Sequence, residues 1–211
     1  PAMGGPGQQA SSYEDVSLNN EVTAVVGRDG IAETITLSGG GMGGGTSSAP
    51  EAYDAANAYT ADTEVTGAAL SSTGVDENAV LVGTEGITVS LEDVTISRIS
   101  ENSSGGDASS FYGVGTAALV TGGVLSIADS TITSNAPGGA GVFAYGGGTA
   151  YVSDTTISTQ QDTSGGIHVA GGGALYAWDL TVETQGESSA AIRSDRGSGV
   201  MVVDGGSDTS N

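Results

Sequence analysis

The sequence predicts an all-β protein: a right-handed parallel β-helix with coils of about 25 residues and an N-terminal cap or extension. Three observations predict it. First, a phrase returns. Leu91 to Ser97 (LEDVTIS), Ile127 to Thr133 (IADSTIT), Val152 to Ser158 (VSDTTIS) and Ala177 to Glu183 (AWDLTVE) share one layout, and a degenerate copy follows at Val202 to Asp208. Their aspartates, Asp93, Asp129, Asp154, Asp179 and Asp204, are spaced by one step of 36 and three of 25, and a fixed step of this size marks a stacked repeat. Second, alternation within a copy breaks once. Ala150 and Val152 point in and Tyr151 and Ser153 out, yet Ile157 points in five positions after Val152. An odd step means the chain turns a corner at Asp154-Thr155 and starts a second strand. Third, a further strand recurs 25 residues apart at Val142, Ile167 and Ile192, all inward, and Gly146 to Gly148 and Gly171 to Gly173 make the next corner.

Three short strands per coil cannot bury a core alone. Stacked at about 4.8 Å, they align Leu, Ile, Val and Ala into continuous inward columns. A sandwich of antiparallel sheets is the competing fold, and it leaves the regular corner residue without a reason.

Taken from the start, Pro1 to Ser12 is low-complexity and reads as flexible or capping. Glu21 to Val26 and Ile31 to Leu37 are strand-like runs on either side of a Gly-Arg-Asp-Gly turn, and Gly39 to Ser48 is a glycine tract suited to a loop. Residues 49–62 are the most helix-compatible stretch, with Pro50 placed for a first turn and abundant Ala, although an extended segment fits nearly as well. The expected division is therefore 1–63, a Gly-rich capping or subunit-linking segment, and 64–211, the β-helix. Gly67 to Ser71 fills the recurring slot one coil before Asp93, and Glu101 to Tyr112 is an insertion in the longer step, expected to project as a loop.

Composition narrows the function. With 25 acidic residues, four arginines (Arg28, Arg98, Arg193, Arg196) and no lysine, there is no basic patch for nucleic acid or an anionic membrane surface. A net charge of −21 favours solubility, and divalent-cation binding or life in high salt is the sharper alternative. Cysteine is absent, so no disulfide framework exists, and no apolar run approaches a membrane span or a signal sequence. The missing initiator Met and the stop inside a repeat are read as those of a processed fragment.

The runs Phe111 to Gly115, Gly138 to Tyr145, Thr163 to His168, Leu175 to Gly186 and Ala191 to Gly197 resemble the large extracellular right-handed β-helix repeat proteins of anaerobic gut and rumen bacteria. The likeness spans roughly residues 60–211. It implies export or a cell-surface location and a stack continuing beyond this chain, and it supplies no catalytic residues.

Four sets of residues are site candidates. Tyr151, Tyr176 and Trp178 face outward on adjacent coils, suited to stacking on sugar rings, packing under an insertion or meeting another subunit. Phe143, His168 and Arg193 form another outward column beside Tyr145, Asp195 and Arg196, read either as a solvated face with an Arg–Asp pair or as a carbohydrate-contacting cluster. The Asp93/Asp129/Asp154/Asp179/Asp204 column either caps corners through backbone N–H groups or forms Ca²⁺ sites. A Thr-x-Ser/Thr ladder (Thr95/Ser97, Thr131/Thr133, Thr156/Ser158, Thr181/Glu183) could order water, as on an ice-binding face.

No coherent catalytic set emerges, and enzymatic activity stays open. The expected function is a non-catalytic extracellular surface protein, an adhesin stalk or a fibre subunit associating head to tail. A carbohydrate-binding or polysaccharide-degrading β-helix is the alternative, and ice binding a remote one. No cofactor is required, Ca²⁺ being the one candidate.

Overall fold

The computed structural model describes residues 48–197 and 199–211, together with the backbone of the strands β1 (Val16–Ser17), β2 (Val22–Arg28) and β3 (Ile31–Leu37). Pro1 to Ser12 and most of the Gly39 to Ser48 tract lie outside the described residues. The chain forms a parallel β-solenoid of about six turns with coils of about 25 residues, and little of it is helical.

The stack begins with β4 (Ala55–Tyr59), β5 (Thr63–Thr66) and β6 (Ala69–Ser72). The segment that suits a helix is therefore partly a strand: β4 pairs in parallel with β7 (Asn78–Glu92), Ala55 opposite Asn78 and Tyr59 opposite Val82. Propensity loses here to the ladder. Alternate residues of β4 are half-buried, and Asn57 Nδ2 donates to the Ala79 carbonyl at 2.8 Å. The coiled region thus starts nine residues before the boundary expected at 64.

Five further coils follow. β8 (Thr95–Ile99), β9 (Ala118–Ala128) and β10 (Thr131–Asn135) continue the stack. β11 (Val142–Ser153), β12 (Thr156–Gln160) and β13 (Ile167–Ala170) lie on them, and β14 (Ala174–Thr184), β15 (Ile192–Ser194) and β16 (Gly199–Ser210) complete the set. All their pairings are parallel, and the register aligns like with like: Leu70, Ile96, Ile132, Ile157 and Val182 form one column, and Val80, Ala118, Val142, Ile167 and Ile192 another. The predicted inward residues Ala150, Val152, Ile157, Val142, Ile167 and Ile192 are fully buried. At about 1.5–3 kcal/mol per buried aliphatic side chain, these columns supply the main stabilisation.

The parity break is a left-handed residue. Asp93, Asp129, Asp154 and Asp179 have φ of 52°, 49°, 46° and 53°, which Gly, Asn and Asp tolerate best. The next residue is then buried, and its hydroxyl stitches the corner where it has one: Ser130 and Thr155 donate to the carbonyls of Ala128 and Ser153, each at 2.7 Å. The shared αL backbone, rather than a carboxylate cap, is what these four positions have in common.

Two features depart from the repeat as read from sequence. Trp178 pairs with Asp204 and Leu180 with Gly206, so Gly205 (φ 68°) holds the corner and Asp204 falls outside the aspartate column. The last coil has one extra residue between β15 and β16: Ile167 pairs with Ile192, but Ala174 pairs with Val200. The insertion, in turn, is not a bare loop. It carries α1 (Gly106–Tyr112), ended by Gly113 in αL conformation, whose N–H reaches the Ser109 carbonyl.

The two strand-like runs near the start form an antiparallel hairpin, β2 with β3, and β2 pairs in parallel with β16 while β1 pairs with β15.

Candidate functional site: an exposed aromatic stack

On the outer face of β11 and β14 the register sets Tyr151 beside Tyr176 and Ser153 beside Trp178. The alternation that buries Ala150, Val152, Leu175 and Ala177 turns these three rings outward, as the sequence predicts. Tyr151 is 40 % and Trp178 37 % exposed, the only aromatic residues among the exposed large hydrophobics described. The rings are nearly parallel. Tyr151 and Tyr176 have centroids 5.2 Å apart at 16°, too close for rings lying side by side in one plane, so they overlap in an offset stack. Trp178 lies 6.3 Å from Tyr151 at 3° and 6.4 Å from Tyr176 at 13°.

This stack stands at a step in the surface. In the coil before Tyr151 the equivalent position is Ser126, with Ala128 beside it, and in the coil after Tyr176 it is Val202. A ring-shaped ligand can therefore lie over the small Ser126/Ala128 floor with one face against the aromatic wall. One residue beyond Trp178 the exposed corner carboxylates run alongside, and the Asp154 N–H bonds the Trp178 carbonyl at 3.1 Å. Asp204, opposite Trp178 in the next coil, has a buried Oδ1 atom without a hydrogen-bond partner among the described residues.

The second predicted cluster is different. Phe143, His168 and Arg193 do share a column on the outer side, Phe143 opposite His168 and His168 opposite Arg193. The solvated face expected there is covered, however: Phe143 is 0 %, His168 2 % and Asp195 5 % exposed. A second, smaller core of Leu119, Phe143 and Ala170 packs with Tyr53, Leu81 and Tyr145. The insertion closes over it. Tyr112 meets Tyr145 edge-on at 5.6 Å, Tyr53 Oη donates to the Tyr112 carbonyl at 2.7 Å, and Arg196 lies 3.9 Å over the Phe111 ring. Burial and the neighbouring tyrosines hold the Tyr53 phenol far above its usual range.

Within this covered layer His168 stacks on Phe143 at 4.2 Å and shares one oxygen of Asp195 with Arg193, at 2.7 Å and 2.8 Å. Burial pushes the His168 pKa below 6.5 and the Arg193 charge acts the same way, outweighing the Asp195 hydrogen bond and charge. The neutral ring donates its Nε2 proton to Asp195. A depressed histidine pKa gives stability that is present above pH about 6.5 and lost as the pH falls through the folded-state value. Urea unfolding of the wild type is thus expected to show lower stability at pH about 5.5 than at about 7.5, and His168→Gln to show a smaller loss over the same interval. Equal losses would remove His168 as the cause.

The remaining candidates are placed as follows. Asp93, Asp129, Asp154 and Asp179 stack at the corners with Asp204 displaced, and among the described residues no three His, Cys, Asp or Glu side chains gather to hold a metal. Thr95, Thr131, Thr156 and Thr181 align in register and are exposed, with Ser97, Thr133, Ser158 and Glu183 beside them.

Arg98 is the functional surprise. It is fully buried and takes the inward slot that other coils fill with Ser134, Thr159 and Thr184. Its Nε donates to Gly115 O at 3.0 Å, Nη1 to Ile99 O at 3.2 Å and Nη2 to Ser103 Oγ at 2.8 Å, which ties both ends of the excursion from residue 99 to 115 to the coil. Burial lowers its pKa, while Glu77 and Asp76 oppose that shift. Parity is the signal that finds it: with Ile96 inward, residue 98 is inward too.

No helix among the described residues is long and apolar enough to cross a membrane. Compared with known proteins, the chain matches no family model, no curated protein and no solved structure.

Proposed function

We propose that this is a non-catalytic, glycan-engaging surface protein of the adhesin type, in which the β-solenoid is a rigid stalk and the Tyr151/Tyr176/Trp178 stack is the contact site. The observation that carries the reading is the exposed, nearly parallel aromatic triad on consecutive coils. Aromatic faces take up the apolar faces of sugar rings, and a stack that ends against a small-residue floor leaves one such face open. The resemblance of residues 60–211 to extracellular β-helix repeat proteins of gut and rumen bacteria supports an exported or cell-surface location. The covered state of His168 and Asp195 supports the non-catalytic part, since a substrate meets neither without displacement of the insertion.

Trp178→Ala is the test. Trp178 is 37 % exposed, so the variant is expected to unfold within a degree or two of the wild type while its retention on an immobilised glycan panel drops on the order of tenfold. Undiminished retention, or no retention by either protein, would sink the reading.

A fibre subunit is the second reading: the edge of β16 takes a parallel strand, which within one chain is its own β2, so a fibre would need a second copy's strand in that place. The last coil accepts a parallel strand at its edge, and the equivalent strand of a second copy would extend the stack head to tail. Light scattering on the same samples separates the two: mass rising with concentration supports the fibre, and a concentration-independent monomer opposes it.

A further inference from the structure

Resting on the glycan reading above, we infer that the stack selects its sugar by charge: it takes amine-bearing glycans in preference to neutral ones and rejects acidic ones. The aromatic rings leave the choice open, because every pyranose offers an apolar face. What stands next to them does not.

The corner carboxylates Asp129, Asp154 and Asp179 are all exposed, and each lies one residue past the column that contains Trp178. The corners are αL, so their direction is set by the backbone rather than by a mobile loop. Successive corners are about 4.8 Å apart, and the three charges lie within roughly one Debye length of the indole. Of the arginines whose side chains the structure describes, Arg98 is buried under the excursion, Arg193 is bound to Asp195 and Arg196 lies over Phe111, none of them on β11 or β14. Arg28 follows Gly27, the β2 partner of Asp204, so its backbone lies two strands beyond Asp179, and the chain has no lysine. A uronate on the Ser126/Ala128 floor would bring its carboxylate against this row. A protonated amino sugar would be attracted by the row and by the negative ring faces together.

The experiment compares three hexamers on the intact chain in the presence of a chelator: glucosamine with its amines protonated, N-acetylglucosamine, and galacturonic acid. Expected is a ranking in that order at low salt, with about tenfold between the first two, converging as salt screens the row. Because any polycation is drawn to a chain of net charge −21, two variants make the result specific. Asp154→Asn with Asp179→Asn keeps residues that tolerate αL backbone and is expected to narrow the amine preference without weakening the N-acetylglucosamine hexamer. Trp178→Ala is expected to abolish the preference. An amine preference that persists unchanged in either variant overturns the inference, since it would belong to the whole protein surface. Galacturonate binding as tightly as glucosamine also overturns it, while leaving the glycan reading intact. Binding of none of the three hexamers counts against the glycan reading itself.

Discussion

Arg98→Ala is expected to cost about 4 kcal/mol and to release the excursion between residues 99 and 115. The guanidinium is the one side chain that holds the Gly115 and Ile99 carbonyls and the Ser103 hydroxyl at once. Truncation leaves the Gly115 carbonyl buried without its donor and removes the bonds to Ile99 O and Ser103 Oγ, the latter still accepting from the Asp76 N–H at 3.0 Å. It also empties the volume of a fully buried arginine. The consequence extends further than the coil. Phe111 and Tyr112, which close over the second core, sit on α1 within that excursion, so losing the anchor should expose Phe143 and His168. Limited proteolysis is expected to cut the variant first within residues 101–116, and hydrogen exchange to lose protection across β13. Arg98→Lys should rescue little, because one ammonium cannot reproduce a fork that reaches three acceptors. Intact protection with a small stability loss would show that the excursion docks without Arg98.

Ile157→Ala is expected to be about as damaging, again near 4 kcal/mol, for a different reason. Ile157 is fully buried in the middle of its column, with Ile132 on one side and Val182 on the other. It also packs on the corner backbone: a Cβ placed on Gly141 would collide with its side chain. In a stack, each coil is stabilised only by its two neighbours, so a cavity in a central coil weakens both interfaces at once. Chemical unfolding should show the loss, with Ile99→Ala as the control. Ile99 is 51 % exposed on the outside of the stack, and its truncation should change stability by less than about 0.5 kcal/mol. Comparable losses from the two substitutions would mean that the columns do not carry the stability.

Most of the architecture was legible because a β-helix writes two periods into its sequence at once, the alternation along a strand and the recurrence of each coil. Tyr151, Tyr176 and Trp178 could be placed outward from parity alone, and their contact followed once the 25-residue step put Tyr151 and Tyr176 on neighbouring coils. Parity says which way a side chain points and nothing about what lies over it. That is why the Phe143/His168/Arg193 column read as solvated although α1 and Tyr53 cover that side. Asp204 misled for a simpler reason: one extra residue in the last coil moved an aspartate next to the corner, and the likeness of Val-Val-Asp-Gly to the earlier copies hid the shift. Arg98 obeyed parity, yet the expectation that arginine faces water hid it.

The aspartate corners have a consequence for ions. Two unit charges in water interact with an energy equal to RT at about 7 Å, and neighbouring corners are closer than that, about 4.8 Å. A row of charges packed more tightly than this thermal distance behaves as a short charged line. It gathers a diffuse sheath of counter-cations along its length without building a coordination shell around any of them. Turning the chain at every coil with a residue that suits αL backbone therefore gives the solenoid one mobile ionic edge, whose cation population follows the salt of its surroundings.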